Sequence, residues 1–126
     1  MIKVQENNVE TLDVPGRKLK WLFHPDDKHS DHFSMNVVSI ASGETVRPAH
    51  AHPNEEEVIY VVSGEGRVFI EGEVSNLAAG TAVLFPKGHK HMVQNSGIEP
   101  LKLVCFFTPP VDFNQYQYFE DIDFSR

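Results

Sequence analysis

The feature that most constrains the fold is a series of short apolar runs, each ended within a few residues by Gly, Pro or Asn. Short runs rich in β-branched and aromatic residues predict strands, and turn signals at this spacing are typical of an all-β sandwich or barrel. Helical periodicity is almost absent. We therefore predict strands at residues 17–23, 33–41, 46–51, 57–62, 67–71, 82–84, 92–94 and 101–107.

Two of these runs indicate which way their side chains face. In the last run, Leu101, Leu103, Cys105 and Phe107 share one face of the strand, while Lys102 lies on the other. This set is therefore predicted to point inside. The run at residues 58–62 is apolar on both faces. Its outer face is therefore expected to be covered, either by another part of the chain or by a second subunit.

Length and charge exclude several classes of partner. The chain has 126 residues, which fits one domain spanning 1–126, and its net charge of −7 repels phosphate backbones, so no nucleic acid is expected. No apolar run approaches the roughly 20 residues that cross a bilayer, and no signal peptide is visible, so no membrane association is expected. Cys105 is the single cysteine, which agrees with a cytoplasmic location.

A group of metal-binding residue types lies between residues 43 and 95. His50 and His52 are two apart, so a strand points both to one face, and Glu57 and His91 follow next to turn signals. Three imidazoles and one carboxylate suit one divalent transition metal, namely Fe, Mn, Ni, Cu or Zn. Four protein ligands on an octahedral ion leave about two positions for water, substrate or oxygen.

The spacing of these residues, with the glycines and prolines between them, resembles the two motifs of the cupin superfamily. His50-x-His52, four residues, Glu57, six residues and Gly64 correspond to the first motif. Gly80, five residues, Pro86-x-Gly88, two residues, His91, three residues and Asn95 correspond to the second, and fifteen residues separate the two. One departure is that six residues, rather than the usual five, separate Gly43 from His50.

The resemblance implies a small cupin-type double-stranded β-helix, or jelly-roll barrel, with its motif core at residues 43–95. It also implies that His50, His52, Glu57 and His91 are the metal ligands. The same barrel serves enzymes and binding proteins, so fold alone does not decide function. The leading hypothesis is a metal-dependent enzyme acting on a small organic molecule, of dioxygenase, isomerase, decarboxylase or lyase type. The alternative is a non-catalytic binding or sensor barrel for a sugar or organic acid.

Other residues near the motifs are candidates for lesser roles. We expect Ile59, Val61, Leu103, Cys105 and Phe107 to line an apolar pocket. His89 falls on the turn before His91, where a solvated side chain is favoured over a metal ligand. His24, His29 and His32 are expected at the surface, with a position at the pocket rim as the alternative. Glu55 and Glu56 lack the motif spacing of Glu57. The sequence identifies no catalytic residue, since no general base is evident beyond the four ligands.

The segment at residues 109–126 is both acidic and aromatic. It carries Phe113, Tyr116, Tyr118, Phe119 and Phe124, more aromatic side chains than a solvated tail would need. These side chains are expected to pack either on the chain's own barrel or on a partner subunit. Together with the doubly apolar run at 58–62, the segment favours a homodimer.

Overall fold

The computed structural model describes residues 1–124, so the last two residues of the segment at 109–126 lie outside the described part. The described chain is all-β apart from three short 3-10 turns, as the sequence predicted. None of these turns has the length or apolarity of a helix that crosses a membrane. The strands are β1 Leu12–Val14, β2 Arg17–Phe23, β3 Ser34–Ile40, β4 Ala49–Ala51, β5 Glu56–Ser63, β6 Glu65–Ile70, β7 Glu73–Ala78, β8 Ala82–Phe85, β9 His91–Gln94, β10 Leu101–Thr108 and β11 Gln117–Phe119.

The strands form two antiparallel sheets. Six strands make the first sheet, in the order β1-β2-β3-β10-β5-β8, and five make the second, in the order β11-β4-β9-β6-β7. Non-consecutive strands pair in both sheets, as β10 does with β3 and β5. Two sheets built by such crossing connections are the jelly-roll arrangement that the sequence predicted.

The inner faces of the two sheets enclose one main apolar core. The predicted inward set of β10, Leu101, Leu103, Cys105 and Phe107, is buried, which confirms the alternation expected from the sequence. By contrast, Val58, Tyr60 and Val62 on the outer face of β5 are 37–47% exposed. Within the described residues, no other part of the chain covers this face.

Several strands depart from the predicted bounds. The run predicted at residues 46–51 forms a strand only from Ala49, because Pro48 has no N–H to donate to a ladder. Three strands were missed: β1, β7 and β11. Strand β7 lies at a sheet edge and buries only Leu77, so it carries little of the alternation from which a strand is predicted.

The segment after β10 packs on the chain's own barrel, which was one of the two expected arrangements. Strand β11 pairs with β4, and Phe124 is buried in a small second core with Ala49 and Met92. Arg67 lies over the Phe124 ring at 4.8 Å. Tyr118 nevertheless stays 59% exposed, so the segment covers the barrel without burying all of its aromatic side chains.

Gly64 and Gly72 offer a matched test of backbone crowding. Both have φ of +91°, but a Cβ at Gly64 would lie 2.5 Å from the carbonyl oxygen of Pro100, whereas at Gly72 nothing lies within 4 Å. Gly72→Ala should therefore cost about 1 kcal/mol of backbone strain, and Gly64→Ala about 2–4 kcal/mol because overpacking adds to the strain. Urea unfolding followed by circular dichroism measures both, and equal losses would contradict the crowding.

Candidate metal centre

The four predicted ligands come together between the two sheets. His50 lies on β4 and His91 begins β9, and the two are paired in register in the second sheet. Glu57 lies on β5 of the first sheet, with Phe85 as its cross-strand partner. One ligand atom from each of His50, His52, Glu57 and His91 falls within 4.8 Å of the others. A single ion can be reached by all four side chains.

Backbone carbonyls fix the orientation of two of the imidazoles. The Nδ1 of His91 lies 3.0 Å from the carbonyl oxygen of His89, and that of His50 lies 3.3 Å from the carbonyl oxygen of Pro48. When Nδ1 donates to such a carbonyl, Nε2 carries the lone pair that binds a metal. In addition, the Phe85 ring stacks on the His91 ring with centroids 4.1 Å apart.

The turn between residues 86 and 88 is tied to the first motif. The N–H of Gly88 donates to the carbonyl oxygen of His52 at 2.9 Å, and the N–H of His89 donates to that of Pro86. Asn95 then closes the following loop, donating from Nδ2 to the carbonyls of Ile40 and Glu99 at 2.8 Å. These bonds hold the start of β9, and with it His91, against the segment that carries His52.

Three of the four ligand atoms are buried without a hydrogen-bond partner among the described residues, and this bears on whether the site suits a metal. Oε1 of Glu57 lies 3.2 Å from Nε2 of both His52 and His91, yet none of these three atoms has a hydrogen bond of acceptable geometry among the described residues. Buried polar atoms are costly unless they are bound. A cation at the convergence point would satisfy all of them, so the residues fit a metal ion.

Burial changes the acid–base behaviour of this group. Desolvation, together with the neighbouring His91, lowers the pKa of His50 to about 3. Burial by itself would raise the pKa of Glu57, but the close imidazoles of His52 and His91 outweigh it and hold that pKa below its usual range. His50 is therefore neutral, and Glu57 ionised, in the states that a metal ion requires.

A cavity of about 350 Å³ opens beside the four ligands. Of the predicted pocket residues, Ile59, Leu103, Cys105 and Phe107 line it, whereas Val61 is fully buried in the core and does not. Val61 lies farther from Glu57 along β5 than Ile59 does, and Leu103 is its cross-strand neighbour. Burial raises the pKa of the Cys105 thiol well above its usual value, so the thiol stays protonated.

The sequence did not identify several residues of the cavity wall. Tyr116, from the segment after β10, stacks on the His50 ring at 5.8 Å and meets the His52 ring edge-on at 4.3 Å. No local pattern marks this tyrosine, because a loop rather than a strand delivers it. Asn36 is different, since it stands as a polar residue in the inward phase of β3 and could have been noticed there. Other wall residues that were missed include Arg17, Trp21, Phe85 and Phe113.

The remaining candidates occupy different surroundings. His89 is exposed, and it contributes its backbone carbonyl rather than its ring. His24 is half-buried at the cavity rim, where its ring contacts Trp21, while His29 and His32 are exposed. Glu55 lies just before β5 and is only 2% exposed, and burial raises its pKa. Glu55 is not part of the four-ligand group.

The pKa of His50 predicts that the metal-free protein is acid-labile. Because the folded-state pKa of His50 lies below the ordinary 6.5, the unfolded chain binds more protons between these values. The contribution of the neutral His50 imidazole to the free energy of unfolding is fully present above about pH 6.5 and is lost progressively as the pH falls towards 3. Between pH 7 and 5 we expect a loss of about 1–2 kcal/mol, measured by urea unfolding of chelator-treated protein.

The control for this prediction is a pair of histidine variants. His50→Gln should remove most of the pH dependence, because the buried imidazole is gone. His29→Gln alters an exposed histidine and should leave the dependence intact. A wild-type stability that stays flat between pH 7 and 5, or a slope unchanged in His50→Gln, would show that His50 does not titrate in this way.

Comparison with known proteins identifies relatives of similar size. An uncharacterized protein from Methanocaldococcus jannaschii is 28% identical over 121 residues, covering 95% of this chain and 96% of the relative. A protein named polyketide synthase CurC, from Streptomyces cyaneus, is 29% identical over 114 residues, covering 86% of this chain and 73% of the relative.

Solved structures and family models agree on the fold. The polyketide cyclase RemF from Streptomyces resistomycificus superposes with a TM-score of 0.72 at 20% identity, covering 86% of this chain and 79% of that one, a likeness of fold. The family model described as the cupin domain matches residues 36–107, more than half of the chain, and this match includes all four candidate ligands. The chain belongs to the cupin family.

Proposed function

We propose that the protein is a metal-dependent enzyme that acts on a small organic molecule inside the barrel. The observation that carries the proposal is the convergence of four ligand atoms, three of them from buried residues, within 4.8 Å of one another at the wall of a cavity. The reaction would be of dioxygenase, isomerase, decarboxylase or lyase type. The metal would be one divalent ion among Fe, Mn, Ni, Cu and Zn, which suit a mixed nitrogen and oxygen ligand set.

The chain's own residues would shape the cavity and limit the access of water to it. A bound ion would supply Lewis acidity and open coordination positions. Ile59, Leu103 and Phe107 provide apolar wall that excludes water, and Tyr116 closes the cavity over His50 and His52. Electrostatic interactions are stronger in such a water-poor site, which favours reaction of a bound polar group.

The sequence relatives support an organic substrate. The likeness to polyketide synthase CurC extends over 114 residues and 86% of this chain. CurC's name places that protein in polyketide synthesis. A mostly apolar cavity with few polar groups suits a small organic ligand.

The competing function is binding without turnover, and the acid–base chemistry of the cavity favours it. Burial raises the pKa of both Cys105 and Tyr116 above the usual values, so neither ionises near neutral pH. The described cavity wall therefore offers neither group as a general base at neutral pH. A sugar or organic acid that binds and is released unchanged would need none.

Metal analysis tests the proposal first. Wild-type protein purified without chelator should carry about one transition metal per chain, and His50→Ala, His52→Ala and His91→Ala should each carry less than about a fifth of that. His89→Ala is the matched control, because its exposed ring is removed while the carbonyl that accepts from His91 is kept. Full occupancy in His91→Ala would overturn the ligand assignment.

Turnover then separates the enzyme from the binding protein. Metal-loaded and chelated wild-type protein are incubated with small acids, diketones and sugars, and the products are followed by mass spectrometry. Product formed only by the loaded protein supports an enzyme. A compound that binds the loaded protein tightly yet is recovered unchanged supports the binding barrel instead.

We also propose that the protein is a homodimer that pairs through the outer face of β5. Val58, Tyr60 and Val62 line this face, and Leu84 and Phe106 are the cross-strand partners of Val58. All five side chains are 36–50% exposed, so they form a continuous apolar patch on the first sheet. Patches of this kind mark interaction sites, and a second copy of the chain would present the same patch in return.

Light scattering tests the dimer. The mass at low micromolar concentration should be near twice 14.3 kDa, and both Tyr60→Asp and Val62→Asp should return it to the monomer value because a charge is placed in the apolar contact. Val74→Asp is the matched control, since Val74 is similarly exposed but lies on β7 of the other sheet. A wild-type mass near 14.3 kDa would reject the dimer.

A cytoplasmic location is also proposed. Its support is Cys105, which is buried and free, and which has no second cysteine in the sequence with which to form an intramolecular disulfide.

A further inference from the structure

One polar side chain in the cavity wall has no partner and is not a metal ligand. Asn36 is 3% exposed, lines the cavity, and keeps its Oδ1 without a hydrogen bond among the described residues. It stands on β3 between Trp21 of β2 and Cys105 of β10, which are its cross-strand partners and also line the cavity. Asn36 therefore places a buried, unpartnered acceptor within the cavity wall.

An unpartnered buried amide works against folding, because the oxygen loses water and gains nothing in return. Leucine is of similar size and would fit the apolar phase of β3, in which Val38 and Ile40 follow Asn36. Each unsatisfied buried group in a native structure calls for an explanation. The position of Asn36 supplies one, since an O–H or N–H group of a ligand in the cavity would bind Oδ1.

A second polar side chain of the wall carries a fixed positive charge. Arg17 lies on β2, four residues before Trp21 and therefore on the same inward face. Of the described residues that line the cavity, Arg17 is the only lysine or arginine. Its Nη1 donates to the carbonyl oxygen of Pro15, and no carboxylate of the described chain forms an ion pair with it within 4 Å. The planar guanidinium thus has free donors for an anion.

The two side chains follow the metal ligands along the first sheet. Glu57 is paired with Phe107, and Phe107 with Ser34, so Asn36 is one inward position farther along β3. Arg17 lies farther still, beyond Leu19, which pairs with Val38. The inner face therefore presents a metal-binding end, then a neutral acceptor, then a cation.

We propose that Asn36 and Arg17 bind a small hydroxylated organic anion, whose hydroxyl donates to Oδ1 of Asn36 and whose carboxylate accepts from the Arg17 guanidinium. The proposal rests on the proposed function in that the ligand occupies the cavity beside the metal ligands. Charge complementarity with the single cation of the wall selects the anion, and the unpartnered acceptor selects the hydroxyl.

The remaining wall favours a flat ligand of one ring. Trp21 contacts Phe107 and Phe113 with ring centroids 6.2 and 5.6 Å apart, and Phe113 contacts Tyr116 at 6.0 Å. Aromatic side chains pack well against planar rings. A cavity of about 350 Å³ holds a single substituted ring with room to spare.

Calorimetric titration with three matched probes tests the proposal. The probes are 4-hydroxybenzoate, benzoate, which lacks the hydroxyl, and 4-hydroxybenzamide, which lacks the charge. Metal-loaded wild-type protein should bind 4-hydroxybenzoate about 3- to 10-fold more tightly than benzoate. It should bind 4-hydroxybenzoate at least about 10-fold more tightly than 4-hydroxybenzamide. Trp21 is the single tryptophan of the chain, so its fluorescence gives an independent signal of binding in the cavity.

Variants assign each preference to its residue. Asn36→Leu should abolish the preference for 4-hydroxybenzoate over benzoate and keep the preference over 4-hydroxybenzamide. Arg17→Gln should keep the preference over benzoate and abolish the preference over 4-hydroxybenzamide. Asn36→Leu should also leave the melting temperature unchanged or raise it, because an unpartnered buried polar group is removed. Lys18→Gln is the matched control for Arg17, since Lys18 is an exposed cation at the next position of β2.

Two sets of outcomes overturn the proposal. Wild-type protein that binds the three probes equally, or none of them at millimolar concentration, rejects the hydroxylated anion. Variants that keep both preferences reject Asn36 and Arg17 as its binding residues. Metal content measured in the same samples keeps the two proposals apart, because a fully loaded protein without these preferences contradicts the ligand class and leaves the metal centre standing.

Discussion

The interaction on which the rest of the structure depends is the convergence of Glu57 and three imidazoles across the gap between the two sheets. Four side chains that each prefer water are placed where water is scarce, and three of their facing atoms have no hydrogen bond of acceptable geometry among the described residues. Such an arrangement is stable only when the surrounding fold holds the side chains in place and a bound ligand offsets the cost of burying them. The hydrogen bonds from Gly88 and Asn95 are part of that enforcement, since they hold the loops on either side of β9.

The ligands also divide between two kinds of support. Glu57 lies on an eight-residue strand and is paired with Phe107 of β10 on one side and Phe85 of β8 on the other, so its position follows from the ladder of the first sheet. His50 and His91 belong to short strands and depend on backbone carbonyls and on the stacked ring of Phe85. A carboxylate positioned by the sheet and imidazoles oriented by local contacts together give a centre whose ligands are held in place before an ion binds.

Much of the fold, and the residues of the candidate centre, could be predicted from the sequence, because both leave a local signature. Alternation in β10 identified its buried face, and the spacing of His50, His52, Glu57 and His91 among glycines and prolines pointed to one family. Three of the edge strands, β1, β7 and β11, could not be predicted in the same way, and β7 shows the reason, since it buries a single side chain. Tyr116 could not be placed either, because its position depends on a pairing between β11 and β4 that no local pattern specifies.

The segment after β10 has a consequence for how ligand choice can change during evolution. It contributes Phe113 and Tyr116 to the cavity, yet it supplies none of the four residues that converge on the metal position. Insertions or substitutions in this segment can therefore reshape the entrance and the roof of the cavity while the sheets below keep the metal ligands in place. The barrel therefore holds the metal ligands, whereas the segment after β10 shapes part of the cavity wall.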